Sequence, residues 1–480
     1  MRNFFIICIN VLYSFIVYSQ GNTKITIKIP QADSTTLNAQ ILIEDPLKPI
    51  NNGYYRDTVK FENGSCEFTF DIANPSLMTL FINDKYLTMP GVYSLIIEPK
   101  DNLVFDVLTL VKADHYGFGI TDVGISGKGS TKLNMTKDMV LGYLDIYRTD
   151  PNYLAQSLTF KFQTTDKKLN VIDSIYKINT SVSSKVKDLI KAHLYGQLLE
   201  SLFRSCNRSE SDSVRLLLDK YIVKKKRMDV FFKRNVVNYA GTIGSYLVLE
   251  EFKNPVKVGG EFYQKRHKIE YAQLLVRRLS KFPEIRDYLL SNHVITSVSK
   301  GLDTTSTELY KFYLENAEFN NPNYTNVIKM YDEIERKFAV GRPFYDFALP
   351  DKTGRIFRLA DFKGKVIVFD FWFNGCGGCR TMVPALSEAE NELKDKGVQF
   401  VSIGVDPKDL WLAGIGKYSS SNSLQLYTEG LADKHPMMQY LNLYSYPRLV
   451  IVDKNGKILP APPDPRTNLK QFVHLIESYL

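Results

Sequence analysis

Lys365-Val-Ile-Val-Phe-Asp-Phe-Trp-Phe-Asn-Gly-Cys-Gly-Gly-Cys-Arg-Thr-Met-Val-Pro-Ala-Leu386 is the stretch on which the fold turns. Val366 to Trp372 is apolar except at Asp370, and Gly364-Lys365 and Asn374-Gly375 bound it. Such a run, rich in Val, Phe and Trp, predicts a strand buried on both faces of a sheet. Cys376-Gly-Gly-Cys379 follows and opens a segment with helical spacing through Met382, Leu386, Ala389 and Leu393. A strand that hands two cysteines to the first turn of a helix has the makings of a redox device. The unpaired amides of a helix start, with the macrodipole, favour a thiolate at Cys376. Cys379, one turn along, is placed to displace a mixed disulfide and close the ring.

These residues resemble the active site of the thioredoxin superfamily: strand, Asp-Phe-Trp, Cys-x-x-Cys, helix, and a proline five residues on, here Pro384. Gly341-Arg-Pro-Phe-Tyr-Asp-Phe-Ala-Leu-Pro-Asp-Lys-Thr-Gly354 and Leu359 to Lys365 narrow the likeness. They resemble the opening hairpin of the TlpA/ResA-like exported thiol-disulfide oxidoreductases. Tyr446-Pro447 and the strand through Asp453-Lys-Asn-Gly456 resemble that family's cis-proline strand and hairpin. The resemblance covers roughly the last 140 residues. It implies a nucleophile at Cys376, a resolving thiol at Cys379 and a proton-relaying carboxyl at Asp370. Tyr446 and Pro447 are implied on the substrate side, with Pro447 cis; Trp372 matches the family's packing tryptophan, with either a structural or a substrate-side role. It implies protein thiols and disulfides as substrates, a membrane electron donor as partner, and no cofactor.

The remainder of the chain is read from its own residues. A length of 480 residues suggests about three domains at ~150 residues each. With 44% hydrophobic and 24% charged residues, an ordinary globular composition with ample core is expected. The formal charge of +9 is modest, and Lys224-Lys-Lys-Arg227, the one dense basic run, reads as a solvated helix end. Nucleic-acid binding is therefore not expected. Residues 1–19 read as a secretory signal peptide: Arg2, an apolar core from Phe4 to Tyr18, and Val17 and Ser19 small enough for cleavage after Ser19. The apolar stretch is short for a spanning helix. A periplasmic location follows from this reading.

Of the five cysteines, Cys8 lies in the signal, which leaves Cys66, Cys206 and the redox pair. Cys66 alternates with Phe68 and Phe70 and reads as core; a Cys66–Cys206 bond stays open. Residues 20–126 read as a β-rich domain, a small sandwich. Asn63-Gly64 predicts a hairpin between Val59-Phe61 and Cys66-Phe70. A second hairpin is expected around Pro99 to Asn102. Gly124 to Ser130 reads as a linker. Residues 127–338 show helical stripes, as in Val186, Leu189, Ile190, Leu194, Leu198 and Leu202, and in Tyr324 to Phe338. They are expected to form an α-helical domain. Residues 339–480 complete the plan with an α/β thioredoxin-like fold.

Other readings of the cysteine pair are weaker. One Cys-x-x-Cys with no second pair and no spaced histidines (His193, His267 and His293 are scattered) supplies too few ligands for zinc. The peroxidases that resemble this stretch place a threonine three residues before the reactive cysteine, where Phe373 stands. Gly378 replaces the usual proline of Cys-x-Pro-Cys, and Gly375 the bulky residue before the first cysteine. These two departures leave reductant, oxidant or isomerase undecided, because glycines loosen the reduced loop. A binding or scaffold protein with a redox-inert C-terminal domain is the reading from a different class.

Overall fold

The computed structural model describes residues 21–29, 37–44, 54–82, 85–87, 94–110, 120–148, 157–209, 211, 213–232, 239–252, 257, 263–299, 302–441, 443 and 446–480. The signal-peptide reading lies outside these residues. The chain divides into two compact units, Met1–Leu199 and Glu200–Leu480, the division falling within the helix Ser184–Asn207.

The first unit opens on strands. They are β1 (Thr23–Lys28), β2 (Asn38–Glu44), β3 (Tyr54–Lys60), β4 (Ser65–Phe70), β5 (Ser76–Ile82), β6 (Lys85–Leu87), β7 (Leu95–Ile97), β8 (Asn102–Leu110) and β9 (Ile120–Lys128). One sheet runs β4-β1-β8-β9; the other runs β3-β2-β5-β6, with β7 also on β5. The Asn63-Gly64 turn forms as its sequence demands, with φ of 49° and 73°. It does not make the expected hairpin: β3 pairs with β2 while β4 pairs with β1. Beyond the single bridge Glu62–Ser65 the two strands part into different sheets. Register explains the outcome, since Cys66 and Phe68 find Ile27 and Ile25 opposite them on β1. The turn before Asn102 behaves in the same way, with β7 on β5 and β8 on β1. Cys66 is buried, and neither it nor Cys206 forms a disulfide. Burial pushes the Cys66 thiol up to about 12.

Gly124 to Lys128 is not a linker but the end of β9, and the first helix, Ser130–Arg148, begins two residues later. Gly127, at φ +91°, lets β9 pass close to β8: a Cβ there would sit 2.2 Å from the Asn102 carbonyl oxygen. Glycine in a strand is a mark of close approach as well as of flexibility. Lys132 in that first helix reaches back to Asp101, Nζ to Oδ2 at 2.6 Å, and both side chains are buried. The helices Leu158–Ile178 and Ser184–Asn207 follow.

In the second unit the helices include Lys268–Arg278, Pro283–Val298, Thr304–Asn316 and Tyr324–Phe338. After them come β10 (Ala348–Pro350), β11 (Ile356–Arg358), β12 (Val366–Trp372), β13 (Val398–Gly404), β14 (Leu424–Tyr427) and β15 (Arg448–Val452). The last four form one sheet in the order β14-β13-β12-β15, with β15 antiparallel to β12 and the others parallel. This is the thioredoxin-like fold. All seven residues of β12 are buried, because both of its faces are covered. Val366 and Val368 pack with Met382, Leu386 and Ala389 of the redox helix (Gly377–Glu392), and with Phe472 and Ile476 of the last helix. On the other face, Phe369 stacks on Phe344 at 4.6 Å and meets Phe347 edge-on. The strand expected after Asn455-Gly456 is reduced to the bridges Val452–Ile458 and Pro343–Lys457.

Candidate active site

β12 ends at Trp372, and the loop that follows is pinned by Asn374. Its backbone N–H donates to Asp406 Oδ2 at 2.6 Å and its Nδ2 to the Leu410 carbonyl at 2.9 Å. Gly375 then turns the chain at φ +100°, a conformation that a side chain resists. Cys376 is the N-cap of the redox helix and Cys379 lies in its first turn. The two sulfurs are bonded to each other. The Cys379 amide also donates to Cys376 Sγ at 3.0 Å. An amide aimed at a sulfur at a helix start stabilises that sulfur as a thiolate once the disulfide opens. Cys376 is 4% exposed and Cys379 1%, so Cys376 is the more accessible of the two by a small margin.

The Tyr446–Pro447 bond is cis, as the resemblance implies. It lies against the redox helix: a Cβ on Gly378 would stand 3.0 Å from Pro447 Cδ and 3.7 Å from the Tyr446 carbonyl oxygen. Gly378 therefore lets the two loops meet, while Gly377 faces open space. The Phe373 ring meets Tyr446 edge-on at 5.4 Å. Arg466, held by Asp464, completes this rim through hydrogen bonds to the Gly378 carbonyl at 3.3 Å and Thr381 Oγ1 at 3.1 Å.

Asp370 sits in β12 below the pair, 4% exposed. Burial pushes its carboxyl up to about 7, with the negative charge of Glu390 adding to the effect. Its Oδ1 has no hydrogen-bond partner among the described residues. On the far side of Pro447, Arg448 is buried and donates from Nη1 to the Ser299 carbonyl at 3.0 Å, its guanidinium 4.8 Å above the Phe338 ring. Burial lowers its ionisation to about 10.

Comparison with known proteins places this geometry. The model of the AhpC/TSA family matches residues 340–460. The thiol-disulfide oxidoreductase ResA of Geobacillus thermodenitrificans is 30% identical over 123 residues, which are 25% of this chain and 67% of the relative. The chain belongs to the ResA-like thiol-disulfide oxidoreductases. ResA of Bacillus cereus is 25% identical over 130 residues, 27% of this chain and 72% of that protein. The thioredoxin-like protein YneN of Bacillus subtilis is 28% identical over 137 residues, 28% and 76% of the two chains. Among solved structures, the thioredoxin domain of a thiol-disulfide oxidoreductase from Bacteroides vulgatus is 28% identical, covering 28% of this chain and 98% of that one, at a TM-score of 0.26.

In this ResA-like oxidoreductase Cys376, Cys379, Tyr446 and Pro447 come together at one end of the sheet, with Asp370 beneath them. Trp372 is the exception. It is wholly buried beside Cys376, Cys379 and Trp411, so it offers no face to a substrate and supports the disulfide from behind. Reading the sequence missed Asp406 and Arg466, which act on the redox loop from 30 residues or more away and carry no local signal. It also missed Glu390, one position past the apolar stripe of its helix, whose burial a helical wheel would have brought up for question.

Proposed function

We propose that the protein is an exported oxidoreductase that reduces protein disulfides through Cys376-Gly-Gly-Cys379. The bonded cysteine pair at a helix start, against a cis Tyr446–Pro447 bond, carries this reading. In the reduced enzyme the Cys376 thiolate attacks a substrate disulfide; a Cys376–substrate bond forms and one substrate thiolate leaves. Cys379 then loses its proton to Asp370 and attacks Cys376 Sγ. The Cys376–Cys379 bond closes, the second substrate thiolate departs, and two electrons have passed from enzyme to substrate. The backbone of Tyr446 receives the extended substrate beside the disulfide. Re-reduction falls to a membrane-bound dithiol donor.

The domain plan goes with this proposal: signal peptide 1–19, a β-sandwich over 20–126, a helical domain over 127–338 and the redox domain over 339–480, with the boundary at 126 moved to the end of β9 at Lys128. Secretion to the periplasm follows from the signal, with cleavage after Ser19. Among the described residues no helix is long and apolar enough to cross a membrane. Insulin reduction by the purified protein, against a Cys376→Ser control, tests the activity. Turnover equal to the control would favour a redox-inert scaffold. The measured reduction potential then decides the direction of electron flow, each ~30 mV counting for ~1.4 kcal/mol.

A further inference from the structure

Asp370 is buried, yet as a relay it must return its proton to water after each turnover, and the pairing of strands leads away from it along a polar path. Asp370 and Ser402 are register partners on β12 and β13, and so share the face that packs on the redox helix. Ser402 Oγ meets Ser423 Oγ at 2.6 Å. Ser423 Oγ donates to the Ser420 carbonyl at 2.8 Å, and Gln425 Nε2 braces both, at 2.7 Å each. The Ser420 hydroxyl donates to Glu390 Oε2 on the redox helix, and Ser387 Oγ donates to Ser420 Oγ at 3.1 Å. Ser402, Ser420, Ser423 and Gln425 are all buried, whereas Ser387 and Glu390 are partly exposed.

Two oxygens stand out in this path. Asp370 Oδ1 and Glu390 Oε1 are both buried, and neither has a hydrogen-bond partner among the described residues. A buried unsatisfied carboxyl oxygen costs about 1–3 kcal/mol, so two of them in one cluster call for a reason. The charge of Glu390 acts on Asp370, and two coupled carboxyls can each take up and release a proton in turn. Among the described residues, Glu390 is the one charge acting on the Asp370 carboxyl. Arg448 on β15 is the partner of Phe371 and so belongs to the opposite face, and Arg380, Glu388 and Glu392 of the redox helix are exposed.

We propose that Glu390, held by Ser420, is the positioning residue through which Asp370 exchanges its proton with solvent. This rests on the reading of Asp370 as the relay for Cys379. The proton that Cys379 gives up as the Cys376–Cys379 bond closes resides first on Asp370. It passes to the Glu390 carboxylate and from there to water at the partly exposed edge beside Ser387. No further reactant is required. Burial raises the pH at which Asp370 titrates, and the like charge of Glu390 adds to that rise.

The test follows the carboxyl carbon of Asp370 by 13C NMR through a pH titration of the reduced protein, alongside the pH profile of insulin reduction. In Glu390→Gln the Asp370 midpoint should fall by about one pH unit, as expected on removal of a near like charge. The turnover profile should shift with it, and Glu390→Asp should restore part of both. Ser420→Ala provides a second route should Glu390→Gln fail to fold. Loss of its hydrogen bond favours protonated Glu390, so the Asp370 midpoint should again fall. A midpoint and a profile unmoved in the folded variants would overturn the proposal and leave Glu390 a loop anchor. Unchanged turnover in Asp370→Asn would instead sink the relay reading beneath it; reduced turnover there with an unmoved Glu390→Gln sinks this inference alone.

Discussion

The backbone N–H of Cys379 donates to the sulfur of Cys376 at 3.0 Å, so the helix that carries the second cysteine begins by addressing the first. The donor points one way only. Cys376 gains from the helix start, and Cys379 lies inside it. Brief alkylation of the reduced protein near neutral pH, read by peptide mass, should therefore label Cys376 first. Labelling of Cys379 ahead of Cys376 would reverse the two roles.

Asp370→Asn should hold the fold and flatten the dependence of stability on pH. The folded protein keeps the Asp370 proton up to about pH 7, well above where an ordinary carboxyl loses it. The unfolded chain thus binds fewer protons between about pH 4 and 7. Stability is complete below that window and is lost as the pH rises through it, by an amount on the order of a few kcal/mol. Asparagine has nothing to ionise, so denaturant midpoints of the variant should exceed those of the parent at pH 8 and match them near pH 4. Turnover should fall, because Cys379 has lost its acceptor, while alkylation of Cys376 changes little. A parental pH slope in the variant would return Asp370 to the ordinary carboxyls.

Gly375→Ala places a side chain at φ +100°. No neighbouring atom lies within 4 Å of the new Cβ, so the cost is backbone strain alone, about 1–3 kcal/mol. Urea melts should register that loss in the oxidised protein. A loss under about 0.5 kcal/mol, the size of an ordinary surface substitution, would mean that the loop re-forms without the glycine turn.

Arg448 separates two effects through two variants. Truncation to alanine leaves a void and strips the Ser299 carbonyl of its donor, at about 2–4 kcal/mol. Methionine keeps most of the volume and removes a guanidinium whose buried Nε has no partner among the described residues. Burying that charge is expensive in itself, so Arg448→Met should stay within about 1 kcal/mol of the parent. Equal losses in the two variants would assign the stability to the hydrogen bond with Ser299 rather than to packing.

What was legible in advance was whatever short spacing dictates. Val366 to Trp372 is buried along its whole length, and Cys376 opens a helix whose apolar positions face the sheet. The Asn63-Gly64 turn formed, yet the pairing of its flanking strands did not follow from it. A turn constrains four residues, whereas partners are chosen by which apolar faces meet across the sheet.

The sequence by itself determined the redox device: a buried strand, a cysteine at a helix start and its partner one turn on, all set by local periodicity and capping. Only the tertiary structure decided what surrounds it. It laid Gly378 against Pro447, brought Arg466 to the Gly378 carbonyl, and set the charge of Glu390 against Asp370. These relations join residues 20 or more positions apart. They depend on how helices and strands stack on one sheet, which no window of neighbouring residues contains.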